Sequence, residues 1–242
     1  GSILKKYFER QSFSVSQKSV SYDLVTNTDQ ESQARITSIL NSRFPDIPIV
    51  GEEGDKTVRR YSQAIYVDPL DGTFNFVHKF PFFSVSLGYW ENDESIAGVV
   101  YDPLRNELFY AQKGDGAFLN GEKIRVSAST SLGGSFLVTG FPYKDEKHPK
   151  IAKDIESIMK FTDLRFLGSA ALELCYVACG IIDGYWEYDL SPWDLAGGVL
   201  IAQEAGALIS DPTGEKFDLF KGDVLAAAPG ISQKLVEVIN HK

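Results

Sequence analysis

Apolar segments with the composition of β-strands run through the middle of the chain, separated by short polar stretches that contain turn residues. The pattern predicts strands over residues 82–90, 95–101 and 107–112. The segments between them are too short to hold a crossover helix, so this block is predicted to be mostly antiparallel. Asn120-Gly121 is a strong signal for a further hairpin turn.

The residues before this block predict helices and two short strands. A helix is predicted over residues 3–12 and a polar loop over residues 16–26. Residues 27–44 are predicted to form a helix capped by Thr28, because apolar residues recur there at helical spacing. These apolar residues are Ala34, Ile36, Ile39, Leu40 and Phe44. Residues 49–50 and 64–67 are predicted to be strands that each lead into acidic residues.

In the second half of the chain, predicted strands alternate with predicted helices. Strands are predicted over residues 135–139, 161–166, 184–188 and 223–228, and helices over residues 146–160, 169–179, 193–205 and 230–240. A strand-rich first half and an alternating second half predict layered sheets and helices, in a mixed α+β and α/β class. The two halves, 1–145 and 146–242, are predicted to form one compact catalytic unit.

Composition and charge exclude several classes of protein. The 242 residues include 33 acidic and 24 basic side chains, a formal net charge of −9 that argues against a nucleic-acid or membrane-surface binder. No apolar run approaches the roughly 20 residues of a membrane span. The start of the chain does not have the pattern of a signal peptide, and two cysteines form no disulfide framework. The cytoplasm is the predicted location.

Three segments combine carboxylates with the ends of predicted elements. They read GEEG over residues 51–54, DPLDGTFNF over 68–76 and WDLAGG over 193–198. The middle segment is the most specific, since two carboxylates three residues apart, with a backbone carbonyl between them, suit a hard cation such as Mg²⁺. A lone aspartate at such a place is more often a helix cap or a solvated acid.

Local charge favours a metal site over that simpler interpretation. Residues 48–55, 64–77 and 186–200 contain no lysine or arginine. Two carboxylates about 4 Å apart repel each other by roughly 4 kcal/mol at an effective dielectric of 20. If the three segments converge, they need metal ions, protons or a distant basic partner, and metal ions are the simplest solution.

These residues carry a resemblance to a known family. The sequence resembles the inositol monophosphatase family of lithium-sensitive, magnesium-dependent phosphatases. Beside the three acidic segments, it shares with that family LVTNTD over residues 24–29, GDGAFLNG over 114–121 and GSAA over 168–171. The resemblance implies a five-layered α-β-α-β-α sandwich of the sugar phosphatase type, and a homodimer.

The resemblance also implies roles for individual residues. Glu52, Asp68 and the Leu70 carbonyl would hold one Mg²⁺, Asp68, Asp71 and Asp194 a second, and Glu52 with water a weaker third. Glu52, Thr73 and Asp29 would be catalytic, with Thr73 and Asp29 hydrogen-bonded to help activate the attacking water. The N–H groups of Gly72 and Thr73 would bind the phosphate. Glu53 is predicted to point away from Glu52 and to support the site rather than ligate.

The substrate side is implied in the same way. Asp71, Glu187 and the backbone of Gly168, Ser169 and Ala170 would contact a polyol, and Lys18 would lie in a lid. Ser191 stands where relatives carry histidine. The leading hypothesis is hydrolysis of inositol monophosphate, inhibited by Li⁺. Fructose 1,6-bisphosphate, NADP and 3′-phosphoadenosine 5′-phosphate are alternative substrates, and a non-catalytic regulatory protein with the same fold is the alternative class.

Overall fold

A computed structural model describes residues 1–17, 24–53, 59–142 and 147–241. Its helices are α1 (Ser2–Arg10), α2 (Asn27–Arg43), α3 (Thr73–Val77), α4 (His148–Ile158), α5 (Ala170–Ala178), α6 (Pro192–Ala196), α7 (Gly198–Glu204) and α8 (Pro229–Ile239). Its strands are β1 (Val15–Gln17), β2 (Leu24–Thr26), β3 (Ile49–Gly51), β4 (Gln63–Asp71), β5 (Ser84–Glu91), β6 (Glu94–Asp102), β7 (Glu107–Gln112), β8 (Gly116–Leu119), β9 (Glu122–Ile124), β10 (Leu137–Thr139), β11 (Leu164–Arg165), β12 (Gly184–Glu187), β13 (Leu208–Ser210) and β14 (Val224–Ala227).

The strands form two main sheets. A seven-stranded sheet has the order β3-β4-β5-β6-β7-β8-β9, in which β3 and β4 are parallel and the other pairs antiparallel. A five-stranded sheet has the order β11-β10-β12-β14-β13, with β10 parallel to both neighbours. The antiparallel character predicted for the first block is confirmed, as is the hairpin turn at Asn120-Gly121, which joins β8 to β9.

Helices fill the space between the sheets and cover their outer faces. Helices α5, α6 and α7 pack between the two sheets, α1 and α2 pack beyond the larger sheet, and α4 and α8 pack beyond the smaller one. Every residue of α5 except Tyr176 is buried, which explains why its sequence is apolar all round. The layers therefore follow the predicted α-β-α-β-α order.

Several boundaries differ from the sequence-based expectations. Part of the predicted loop over 16–26 is a two-stranded ribbon of β1 and β2, whose residues Val15–Gln17 are all exposed and so carry no hydrophobic alternation. The predicted helix over 193–205 is two helices, which meet at Gly197. The predicted strand over 161–166 is reduced to Leu164–Arg165. Strand β13 had no recognised signal in the sequence.

Helix α2 differs most in its buried face. Thr26, not Thr28, caps the helix: its hydroxyl accepts from the Thr28 N–H at 3.1 Å, and Asp29 accepts from the Thr26 N–H. The buried residues are Thr28, Asp29 and Ser32, whereas Ile39 and Phe44 are 40% and 45% exposed. The face that contacts the sheet is polar because it forms hydrogen bonds to the end of β4. There the Ser32 hydroxyl donates to the Pro69 carbonyl at 3.0 Å.

The predicted division into 1–145 and 146–242 stays a prediction. The large sheet uses residues from the first range and the small sheet mainly the second, but the boundary near residue 145 lies outside the described residues. Across the part of the chain that the structure describes, no helix is both long and apolar enough to span a membrane. The cytoplasmic location likewise stays a prediction.

Candidate active site

Strand β4 brings Asp68 and Asp71 to the same cavity. In a regular strand, residues three apart point to opposite faces. Here Asp68 is opposite Ser86 and Asp71 is opposite Ser84, so three steps along β4 match two along β5. This extra residue is a β-bulge, and Pro69 within it lacks the N–H that a regular ladder would use. The bulge explains how both carboxylates line one cavity.

The cavity has a volume of about 520 Å³ and lies where β3, β4, β12, α3, α5 and α6 begin or end. Most of the predicted site residues line it: Glu52, Asp68, Leu70, Asp71, Gly72, Thr73, Gly168, Ala170, Glu187 and Asp194. Ser169 does not, because its side chain is buried and donates a hydrogen bond to Asp71. Lys18 lies outside the described residues, so its lid role stays a prediction.

Asp68 lies at the electrostatic centre of the acidic residues. Burial is the largest cause that raises its pKa well above the usual range, and repulsion from Glu52, Asp71 and Asp194 raises it further. The Leu70 N–H donates to Asp68 at 2.9 Å and opposes the rise. The three acidic segments of the sequence therefore converge, which meets the condition under which their lack of local cations favours a metal site.

Asp71 and Asp194 are each oriented by hydrogen bonds that hold one carboxylate oxygen. Asp71 Oδ2 accepts from the hydroxyls of Ser84 and Ser169 and from the Ala171 N–H at the start of α5. Burial raises the Asp71 pKa to about 6 against these bonds. Asp194 Oδ2 accepts from the Ser191 N–H at 2.8 Å, and burial raises the Asp194 pKa well above its usual range.

Ser191 and Asp194 form the capping box that begins α6. Asp194 is therefore a first-turn acid, one of the two structural roles that its position in the sequence suggested. A structural cap and a cavity-lining carboxylate are thus combined in one residue.

Thr73 and Asp29 form the hydrogen bond that the resemblance implied. The Thr73 hydroxyl lies 3.0 Å from Asp29 Oδ1 and 2.9 Å from the Leu70 carbonyl. Asp29 is fully buried, and its Oδ2 accepts from the Thr26 hydroxyl at 2.6 Å. Asp29 is therefore fixed by the cap of α2 while its other oxygen faces Thr73.

Glu53 lies closer to Glu52 than the sequence indicated. One carboxylate oxygen each of Asp29, Glu52 and Glu53 lie within 4.8 Å of one another. Strand β3 ends at Gly51, so strand alternation does not continue to Glu53. Glu53 nevertheless does not line the cavity that Glu52 lines, and its supporting role stays a prediction. Gln33 of α2 clamps this segment: its amide oxygen accepts from the Glu53 N–H at 2.8 Å, and its amide nitrogen donates to the Glu53 carbonyl.

The donor set fits a hard divalent cation. Carboxylates and a backbone carbonyl are the ligands that Mg²⁺ and Ca²⁺ take, and the carboxylates converge here in a buried place. Among the described residues that line the cavity there is no lysine, arginine or histidine. Nothing in that lining offsets the negative charge, which is the condition under which bound cations stabilise such a cluster.

The far side of the cavity holds Glu187. The Tyr185 hydroxyl, two residues earlier on β12, donates to Glu187 Oε2 at 2.6 Å. Burial raises the Glu187 pKa to about 7, although the bond from Tyr185 lowers it. The carboxylate packs directly on Gly140, where an added Cβ would lie about 2.1 Å from its atoms.

Sequence reasoning missed residues that shape this side. Glu173 is fully buried and accepts from the Leu167 and Gly168 N–H groups at 3.0 and 3.1 Å. The Asn75 amide donates to the Leu167 and Phe82 carbonyls at 2.7 and 2.8 Å. Asn75 lies in the DPLDGTFNF segment, and its place there was the available signal. Glu173 had a signal too, as an acid in an otherwise apolar helix.

Comparison with known proteins identifies the family of this chain. The model of the inositol monophosphatase family matches residues 1–241. The chain belongs to the inositol monophosphatase family. Both the family and the layered fold predicted from the sequence are confirmed.

Members of the inositol monophosphatase family resemble the chain over nearly its whole length. The Pasteurella multocida Nus factor SuhB is 40% identical over 242 residues, which cover 99% of this chain and 91% of that protein. The structure of the extragenic suppressor protein suhB from Bartonella henselae aligns with a TM-score of 0.91 at 35% identity, covering 98% and 92% of the two chains. A Thermotoga maritima IMPase aligns at 0.90 and 38% identity, covering 99% and 92%.

Membership in this family supports phosphatase chemistry in general and the use of divalent metals. The SuhB relatives bear the name Nus factor, which does not state a phosphatase activity. The substrate, the identity of the metal and the role of each site residue are therefore matters for the proposal that follows.

Proposed function

We propose that the chain is a Mg²⁺-dependent phosphomonoesterase that hydrolyses inositol monophosphate to inositol and phosphate. The observation that carries the proposal is the convergence of Glu52, Asp68, Asp71 and Asp194 on one cavity whose described lining has no cationic side chain. A cluster of this kind is unfavourable unless cations occupy it, and phosphoryl transfer is chemistry that two adjacent cations promote.

The residues that would hold Mg²⁺ are those of the bulged strand and its neighbours. Glu52, Asp68 and the Leu70 carbonyl would hold one ion, Asp68, Asp71 and Asp194 a second, and Glu52 a weaker third. Bound there, the ions would supply Lewis acidity to the phosphate and lower the pKa of a water. The same sites would explain the expected inhibition by Li⁺.

Thr73 and Asp29 would accept the proton that the attacking water loses. The 3.0 Å hydrogen bond lets the Thr73 hydroxyl accept a proton from the attacking water while it passes its own toward Asp29. Because Thr26 holds the other oxygen of Asp29, the carboxylate stays aimed at Thr73. The N–H groups of Gly72 and Thr73, at the start of α3, would hold the phosphate. Gly72 has φ +90° and an added Cβ would lie 3.1 Å from the Gly168 carbonyl, so this turn favours glycine.

A panel of phosphate esters with and without Mg²⁺ tests the proposal. We expect release of phosphate from inositol 1-phosphate only with Mg²⁺, and slower release from fructose 1,6-bisphosphate, NADP and 3′-phosphoadenosine 5′-phosphate. A higher rate on one of those alternatives would replace the substrate and keep the chemistry. If no ester is hydrolysed and calorimetry shows no Mg²⁺ binding, the regulatory alternative that the Nus factor relatives favour is correct.

Glu187 would accept a hydroxyl of the polyol, and Gly140 allows a direct test of that role. In Gly140→Ala the new methyl group occupies the place of the Glu187 carboxylate, which must move. A carboxylate at the end of a flexible side chain moves at little cost, so the fold should persist. We expect KM for inositol 1-phosphate to rise by roughly tenfold, the value of one displaced hydrogen bond to a charged group. kcat on p-nitrophenyl phosphate, which lacks the hydroxyls, should change less than twofold.

Gly133→Ala is the matched control. Its added methyl group would make only an ordinary contact, 3.5 Å from the Ser131 hydroxyl. Both kinetic constants should then match those of the wild type. Equal effects of Gly140→Ala on the two substrates would remove Glu187 from the polyol subsite. Homodimer formation stays a prediction, which sedimentation of the same variants would check.

A further inference from the structure

One short segment joins two carboxylates to which the proposed function gives different ligands. It covers residues 188–191 and connects Glu187, at the end of β12, with Asp194, in the first turn of α6. Three of its residues line the cavity, namely Asp189, Leu190 and Ser191. The separation between the proposed polyol carboxylate and the proposed cation ligand therefore depends on the shape of this segment.

The segment contains a backbone conformation that a residue with a Cβ rarely adopts. Asp189 has φ +63°, which lies in the left-handed region. Such a conformation persists where the surrounding structure holds it. Here the Asp189 N–H donates to Asp223 Oδ1 at 2.9 Å, and the Leu190 N–H donates to the Gly222 carbonyl at 2.9 Å. Two consecutive N–H groups are thus held by the two residues that precede β14.

These two hydrogen bonds extend the pairing of β12 with β14. The strands are antiparallel, and their pairing ends with Glu187 opposite Val224. Beyond that pair the backbones come so close that an added Cβ at Gly222 would lie 2.0 Å from the Leu190 carbonyl oxygen. The contact that orients Glu187 in the sheet therefore continues into the segment that leads to Asp194.

The Asp223 carboxylate is itself fixed by the layer beyond the small sheet. Its Oδ2 lies 3.2 Å from the Nζ of Lys147, the residue that precedes α4. The same Nζ lies 5.6 Å from the centre of the Tyr188 ring, whose hydroxyl donates to the fully buried Asp154 of α4 at 2.6 Å. Both the side chain of Tyr188 and the backbone of Asp189 are therefore anchored to this layer.

We propose that Asp223 is a positioning residue of the active site, which sets the separation of Glu187 and Asp194 by holding the Asp189 N–H. The inference rests on the proposed function and extends it to a residue that does not line the cavity. Without this acceptor, Asp189 relaxes toward the negative φ values that residues with a Cβ prefer. Glu187 then moves relative to the capping box that orients Asp194. The cation and the polyol lose affinity, whereas the proton transfer, which uses other elements, is retained.

Asp223→Ala tests this role, because it removes the acceptor. We expect the Kd of Mg²⁺, measured by calorimetry without substrate, to rise by about tenfold, as for other residues that orient a metal ligand through an intermediate group. KM for inositol 1-phosphate should rise by about the same factor, while kcat at saturating Mg²⁺ changes less than about threefold. In Asp223→Asn the amide oxygen can still accept from the Asp189 N–H, so both constants should stay close to those of the wild type.

Asp218→Ala is the matched control. The Asp218 carboxylate also accepts one backbone N–H, that of Phe220 at 2.9 Å, and also pairs with a basic side chain, that of Arg60. Its side chain is 27% exposed, against 25% for Asp223. The control should lower the melting temperature by a similar amount and leave the Kd of Mg²⁺ and KM unchanged.

A glycine at residue 189 tests the cause of the effect. Glycine adopts positive φ without a steric cost, so Asp189→Gly depends less on the support from Asp223. The losses that Asp223→Ala causes should therefore be clearly smaller in the Asp189→Gly background than in the wild-type background. Both members of this comparison lack the Asp189 side chain, so its own contribution to the cavity cancels.

The inference is overturned if Asp223→Ala matches Asp218→Ala in Mg²⁺ binding and KM, or if Asp223→Asn loses as much as Asp223→Ala. It is also overturned if the losses are equal in the two backgrounds at residue 189. If Asp223→Ala does not fold, the double variant with Asp189→Gly decides, and it should fold and bind Mg²⁺ because glycine replaces the support. A wild type that hydrolyses no ester and binds no Mg²⁺ would instead contradict the proposed function itself.

Discussion

Replacing Asp68 by asparagine is expected to lower kcat/KM by at least about a thousandfold while the fold persists. Asp68 is the one residue that the proposal assigns to both the first and the second cation, and it is 2% exposed at the centre of the acidic cluster. Stabilisation of the transferring phosphate by metal ions amounts to several kcal/mol, and about 1.4 kcal/mol corresponds to each factor of ten in rate. Phosphate release from inositol 1-phosphate at saturating Mg²⁺ is the measurement.

The same variant should gain stability without metal. Asparagine has nearly the shape of aspartate and carries no charge, so it removes the repulsion that Glu52, Asp71 and Asp194 exert on residue 68. In a chelator the melting temperature should be at or above that of the wild type, and added Mg²⁺ should raise it less. Asp46→Asn, at an exposed position, is the control and should leave both quantities unchanged. Full activity in Asp68→Asn would contradict the assignment of the cation sites.

The second large effect concerns pH in the absence of metal. Folding raises the pKa of Asp68, Asp194 and Glu173 well above their usual range, that of Asp71 to about 6 and that of Glu187 to about 7, with burial as the main cause throughout. Between the unfolded and folded pKa values, the folded state binds more protons than the unfolded state. Stability is therefore complete below about pH 4 for these groups and is lost as pH rises through their folded pKa values.

The expected size of this loss is measurable. Glu187 moves from 4.5 to about 7, and at 1.36 kcal/mol per pKa unit it contributes about 3 kcal/mol on its own. For a domain of this size that corresponds to a fall in melting temperature of about 10 °C between pH 5 and pH 8 in a chelator. Saturating Mg²⁺ should flatten the dependence, because a bound cation favours the ionised carboxylates.

The variant Glu187→Gln separates the contribution of Glu187 to this pH dependence from that of the other buried carboxyl groups. It lies outside the proposed cation ligands, so it should remove only the share of Glu187 and make the fall in chelator shallower. A metal-free wild type whose melting temperature rises from pH 5 to pH 8 would contradict the account, since it would mean that the buried carboxylates ionise more readily in the folded state. Circular dichroism melts in matched buffers are sufficient to decide.

The sequence was sufficient to predict what the carboxylates would need if they converged, but not how the backbone brings them together. The spacing of Asp68 and Asp71 and the missing basic residues predicted a metal site. In a regular strand that spacing would have separated the two side chains. The bulge depends on the register between β4 and Ser84 and Ser86 of β5, and a register between strands is set by packing that a local pattern does not contain.

The features that the sequence did not predict depend on contacts or exposure that hydrophobic periodicity does not record. Gln33 and Gly140 act through tertiary contacts, the first on the backbone of Glu53 and the second on the carboxylate of Glu187. Neither contact leaves a mark in hydrophobic periodicity. Strand β1 was not predicted because all its residues are exposed. A strand with no buried face has no alternation of apolar and polar residues to detect. The break at Gly197, by contrast, had a signal in the Gly197-Gly198 pair.

The bulge in β4 has a consequence for which ions the site accepts. The strand lies inside the large sheet between β3 and β5, and Asp71 is held from three directions by Ser84, Ser169 and the start of α5. These hydrogen bonds restrain Asp71 Oδ2 and so limit how far this carboxylate moves. Mg²⁺ binds oxygen at about 2.0–2.1 Å and Ca²⁺ at about 2.3–2.6 Å. If the site binds cations as proposed, ionic radius rather than charge would decide which ion fits, and a larger ion of the same charge would bind in a distorted geometry.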